Sequence, residues 1–319
     1  MPLQLRYLSE GIGLFVVILV SSYFLGSFQQ QVLGLTTIFA LAGIGLNVLV
    51  GYSGLVSLGH VTFFAIGAYG WARLAPVAPG PVVVLLPIVL SVIVAILIAL
   101  VTLRIAGYYF AIVTLAVAMI STVVIVTATE LTGGYSGISG ILRSGLPGFE
   151  GAQQVIVTAA LVLVIAYFFQ ATLRDSPLGH ALLATSYDPV AAQSFGLSIG
   201  SIRMIVLAIS SIPVTIAGMF AVQLVRYAGP DQFSLAVAIQ LIAIPIIGGR
   251  GWRFAPILGS VVVIALPELF RGFADYRLVF YGAVLMLVGL FLPGGLRQLN
   301  PFSYLRRDRA TPREELVRL

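Results

Sequence analysis

Apolar runs about as long as a bilayer is thick alternate along this chain with short polar or glycine-rich joints. A helix needs about 20 apolar residues to cross a hydrocarbon core. Such runs recur near residues 11–27, 31–50, 56–75, 82–102, 107–128, 153–171, 203–224, 234–249, 255–270 and 278–294. The pattern predicts an all-α, polytopic membrane protein of about ten transmembrane helices, some of them broken or re-entrant. Glycine, proline or charge interrupts 56–75 and 255–270. No small-residue cleavage site follows MPLQLRYLSE, so residues 11–27 read as a retained first span.

Two polar segments break the rhythm. Residues 129–152, TELTGGYSGISGILRSGLPGFEGA, are too rich in glycine and serine for a regular span, yet ISGIL and LPGF are apolar. They form either a segment dipping back against the protein, where irregular backbone is tolerated, or an ordinary loop. Residues 172–202 form the longest polar connection. In it Asp188 is a natural N-cap, Pro189 suits the first helical position, and Gly196 suits a C-terminal stop. A single helix of about two turns is expected there, too short to stand without a packing partner.

Composition agrees with the span pattern. The 319 residues are 60% hydrophobic and 9% charged, with no cysteine and therefore no disulfide or thiolate site. Every basic residue is arginine. With the N-terminus inside, Arg6, Arg104, Arg174, Arg203, Arg250, Arg253 and the six from Arg297 to Arg318 fall on one side. Only Arg73, Arg143, Arg226, Arg271 and Arg277 fall on the other. The positive-inside rule then places both termini and 172–202 in the cytoplasm. The chain divides into a transmembrane domain over 1–300, holding the loop 172–202, and a basic cytoplasmic tail over 301–319. The net charge of +6 belongs to these edges and suits anionic lipid headgroups or a cytoplasmic partner, not nucleic acid.

Little catalytic chemistry is available. Without lysine there is no phosphate-binding Walker A loop. The two histidines, His60 and His180, lie far apart and have no metal-ligand spacing. No paired carboxylates lie within a span, and no metal or cofactor is expected. Glu130, Glu268 and Asp275 fall near span ends, so His60 is the one deeply placed ionisable group, a thin basis for ion coupling.

The stretch GYSGLVSLGHVTFFAIGAYG, residues 51–70, concentrates glycine inside an apolar region. Gly59, Phe63 and Gly67 recur every four residues, and Gly70 follows three later, a small-residue spacing that lets helix backbones approach. The turn at Tyr52, Ser53 and Gly54 breaks the helix. With Ser57, Gly59, His60 and Thr62 it makes a candidate translocation pathway, because helix ends expose polar backbone groups to a substrate. His60 is either a packed, hydrogen-bonded residue or a substrate contact. An echo follows in AIPIIGGRGWRFAPILGS, where an apolar helix, a glycine turn and a second helix recur.

Six segments in order resemble the inner-membrane permeases of branched-chain amino acid ABC importers, LivM type. They are GYSGLVSLGHVTFFAIGAY, GYYFAIVTLAVAMI, LTGGYSGISGI, SPLGHALLATSYDPVAAQSFG, IIGGRGWRFAPILGSVVVIALPE and YGAVLMLVGLFLPGGL. The chain departs from the family's usual pattern at Thr185, Ser186 and Val190, where a more charged stretch is typical, and at Arg250 and Trp252. The resemblance implies a non-enzymatic subunit that moves branched-chain or other small hydrophobic amino acids inward by ATP-driven alternating access. Urea, short amides and aromatic acids are alternative substrates within the family, and a stand-alone channel or ion-coupled carrier is the more distant alternative. The implied partners are a second related permease, two cytoplasmic ATP-binding subunits and an extracytoplasmic binding protein. The short helix would be the coupling helix seated in the ATPase, with Asp188, Pro189, Ala191, Ala192, Phe195 and Gly196 forming it.

Overall fold

Long apolar runs become helices because a helix satisfies its own backbone N–H and C=O groups, as a hydrocarbon surrounding requires. The computed structural model describes residues 3–103, 105, 107–146, 148–269, 282, 286 and 294–299. Nearly all of the span expected at 278–294, the arginines at 104, 271 and 277, Asp275 and the tail 301–319 lie outside the described residues.

In chain order the helices are α1 (Leu3–Phe24), α2 (Ser27–Leu46), α3 (His60–Leu74), α4 (Gly80–Thr102), α5 (Tyr108–Thr127) and α6 (Thr129–Thr132). After them come α7 (Gly151–Arg174), α8 (Pro177–Tyr187), α9 (Pro189–Ser194), α10 (Ile199–Val225) and α11 (Leu235–Gly248). The last are α12 (Ala255–Ser260) and α13 (Leu266–Leu269), joined by a π-helical turn, Val261–Ala265. Among the described residues six, α1, α2, α4, α5, α7 and α10, are long and apolar enough to cross a membrane.

Two expectations are corrected. The first helix starts at Leu3, not near residue 11, so Tyr7 and Glu10 belong to it. The 172–202 connection holds two helices, not one, because Ser176 also caps: its hydroxyl accepts from Gly179 N at 3.2 Å, ahead of Pro177 in the first turn of α8.

α10 is the central post, packed on α2, α3 and α4, while α7 packs on α1 and α2. A Cβ on Gly67 would collide with the Thr215 carbonyl, and one on Gly218 with the Phe64 carbonyl. α3 and α10 therefore cross with backbones touching at two reciprocal notches. The glycine spacing on α3 does not make one stripe against one partner. Gly59 lies over Thr114 of α5 and Gly70 over the Pro87 ring of α4. A helix of small residues packed on three sides can meet a different neighbour with each.

One end of the bundle carries the irregular residues 53–59, the α8–α9 connection and the turn 249–254. The opposite end carries 128–150, where β1 (Ile138–Ser139) pairs antiparallel with β2 (Tyr227–Ala228), Ile138 facing Ala228. That segment lies over the helix ends and reaches into them. Trp71 Nε1 donates to Leu142 O at 3.0 Å, and Arg143 donates to the carbonyls of Gln223 and Leu224 at 3.1 and 3.2 Å. Those are last-turn carbonyls of α10, which a cation complements.

Candidate functional site: two helix breaks and a short exposed helix

The first break is prepared inside α2. Its helix widens into a π-helical turn over Asn47–Tyr52, then the chain leaves helical geometry until His60. A π-turn strips one carbonyl of its usual partner and often marks a functional position. Ser53 closes the turn on Leu49 O, which accepts from its N at 3.2 Å and from its Oγ at 2.6 Å. Gly54 then takes a φ of +70°, with the Ser186 hydroxyl of α8 only 2.7 Å from where a Cβ would sit. Only glycine fits both demands. The break thus lies against the α8–α9 connection, at one end of the bundle.

The second break spans Gly249 to Phe254, and Gly251 has a φ of +71°, nearly that of Gly54. The two breaks face each other. Asn47 Nδ2 donates to Trp252 O at 3.0 Å, and its Oδ1 accepts from Gly251 N at 2.9 Å. One carboxamide thus pairs the Gly251 N–H and adds a second donor to the Trp252 carbonyl, which also accepts from Ala255 N at 3.0 Å. Tyr52, fully buried, reaches Gln170 O of α7 at 3.4 Å.

His60 opens α3 and is buried. Nδ1 lies 2.9 Å from Ser57 Oγ and Nε2 lies 2.9 Å from Ser210 Oγ on α10. The Ser210 hydroxyl donates to Leu207 O at 3.0 Å. It therefore accepts from Nε2–H, and the unprotonated Nδ1 accepts from Ser57. Both ring nitrogens are occupied, and Phe63 meets the ring edge-on at 5.1 Å. Two other polar atoms on α3 differ. Thr62 Oγ1 and Tyr69 OH are buried without a hydrogen-bond partner among the described residues. Seven residues apart, they stand on one face.

α9 is capped at both ends. Asp188 Oδ1 accepts from Val190 N and Ala191 N, both at 3.0 Å, with Pro189 in the first helical position. At the other end Gly196, φ +84°, closes a Schellman motif in which Gly196 N bonds Gln193 O and Leu197 N bonds Ala192 O. Phe195 is 88% exposed and Val190 74%. Ala192, expected at the docking face, is instead buried within the chain. Tyr187, at the end of α8, is 88% exposed and extends the outward apolar surface.

The profile of the family described as "Branched-chain amino acid transport system / permease component" matches residues 29–289, a range containing both breaks and α9. The chain belongs to this family. It is 32% identical to the high-affinity branched-chain amino acid transport system permease protein LivM of Escherichia coli strain K12, over 82% of this chain and 68% of that protein. The LivM of Salmonella typhimurium strain LT2 is similar to the same extent. No solved structure matches the chain. This permease-family member is a multi-pass membrane protein, and its relatives are transport components rather than enzymes.

Sequence reasoning singled out the first break but not Asn47, Gln170 or Tyr69. Asn47 carried a usable signal, since an amide side chain within an otherwise apolar helix needs partners. Tyr69 carried none, because an aromatic in a span reads as core.

Proposed function

We propose that this chain is the permease subunit of an ATP-driven importer in a bacterial-type inner membrane. It moves branched-chain or other small hydrophobic amino acids inward by alternating access. The observation that carries the reading is α9, a two-turn helix fixed at both ends that turns Val190 and the adjoining Phe195 away from its own fold. A helix so short is not held by propensity, and rigid capping with Val190 and Phe195 outward suits insertion into a cleft of another subunit. The family match and the LivM relatives support the same reading. Two cytoplasmic ATP-binding subunits would sit on this end, beside a second related permease, with a binding protein delivering substrate at the other. The breaks, with Tyr52, Ser53, Gly54, Ser57, Gly59, His60 and Thr62, would border the path.

Phe195→Asp tests it, placing a charge on α9 without touching the bundle. The protein should insert normally but fail to retain ATP-binding subunits through purification. Losing a central interface aromatic costs about 2 kcal/mol or more, so affinity should fall roughly 30-fold. ATP-dependent uptake should fall with it. Retention and uptake at the unsubstituted level would remove α9 from the interface, and uptake in membranes without any ATPase would reject the importer reading.

A further inference from the structure

Six ionisable or phenolic side chains gather where α1, α7 and the second break meet. Arg253 Nη2 donates to Glu10 Oε1 at 2.8 Å, and Arg6 Nε reaches the same oxygen at 3.1 Å. Tyr167 OH donates to Glu10 Oε2 at 2.7 Å, so both carboxylate oxygens are taken. The Arg253 guanidinium lies over the rings of Tyr7 and Phe254, 5.1 and 5.3 Å from their centroids. The Tyr7 hydroxyl in turn donates to Asp175 Oδ2 at 2.8 Å. Asp175 is the C-cap of α7, the residue from which the α8–α9 connection departs.

The neighbours of Arg253 in the turn, Gly251 and Trp252, are the residues that Asn47 holds. The second break is thus gripped from two sides, by the first break and by α1 and α7. Stability alone is a poor account of this arrangement. An ion pair largely shielded from water gains little over an apolar pair once desolvation is charged against it. Arg253 also lies between two acids on different elements, Glu10 directly and Asp175 through Tyr7. A planar guanidinium can bond one while stacking on the link to the other.

We propose that Arg253 is a positioning residue that ties the second helix break to the root of the 172–202 connection, so that displacing that connection resets the break. The proposal rests on the reading of α9 as the ATPase-binding helix. In the complete reconstituted transporter, Arg253→Gln retains its ATP-binding subunits and hydrolyses ATP. Uptake per ATP falls about tenfold, within the usual span of coupling between sites. Tyr7→Phe removes one hydroxyl and cuts only the Asp175 link; it lowers the same ratio by less. The double variant is no worse than Arg253→Gln alone, because both act through one connection. Should Arg253→Gln fail to assemble, the ratio in Tyr7→Phe decides. An unchanged ratio in Tyr7→Phe and in any assembled Arg253→Gln overturns the proposal, even if uptake and hydrolysis drop together. Failure of the underlying reading has a separate sign, which is unsubstituted protein transporting without ATP.

Discussion

Thr62 and Tyr69 present buried hydroxyls with no partner among the described residues, whereas His60 on the same helix has both nitrogens engaged. Deleting a buried, unpaired polar atom is nearly neutral or stabilising for a fold. Tyr69→Phe should therefore leave the thermal transition in detergent unchanged or slightly raised. If the hydroxyl meets the passing amino acid, its loss should weaken apparent uptake affinity by roughly 2- to 10-fold, the worth of one hydrogen bond. A lowered transition with unaltered affinity would make the hydroxyl structural. Little at this scale was legible in the sequence. His60 stood out because an imidazole is rare in an apolar run, but both of its readings stayed open there. Its partner Ser210 lies 150 residues away and looks like any other serine.

Helices and their ends were far more legible. α9 follows from Asp188, Pro189 and Gly196 by local rules alone. α8 obeys the same rules through Ser176 and Pro177, yet its sequence, PLGHALLATSY, lacks a sustained apolar stripe and reads as loop. The glycines show the limit of spacing as a guide. Periodicity marks which positions are small, but which neighbour each one meets is set by the fold. Gly67 faces backbone, which cannot rotate away, so Gly67→Ala should cost about 1–3 kcal/mol or more. Gly59→Ala, with the Thr114 carbonyl 3.0 Å from the added carbon, should cost less. Urea unfolding of the two variants side by side checks the order, and equal costs would mean that α3 and α10 separate easily.

For the whole molecule the span pattern and arginine bias predict a sided bundle. α7, 24 residues long, carries the chain from the 129–150 segment to the α8–α9 connection. At about 1.5 Å per residue that is enough to cross a bilayer. The natural absence of cysteine makes the check direct. Tyr135→Cys should react with an impermeant maleimide in intact cells, and Val190→Cys only after permeabilisation. Labelling in the reverse order would invert the topology. The Glu10–Arg253 pair was beyond reach of a single sequence, because its members stand 243 residues apart and each sits beside a span end where a lone charge is unremarked. The reciprocal notches between α3 and α10 have a mechanical consequence. Interdigitated side chains can slide by changing rotamer, as in shear motions, but two backbones seated in each other's glycine gaps have no slack to give. α3 and α10 must therefore travel as one stiff beam. Any alternation between inward and outward openings has to be taken up along the other seams of the bundle.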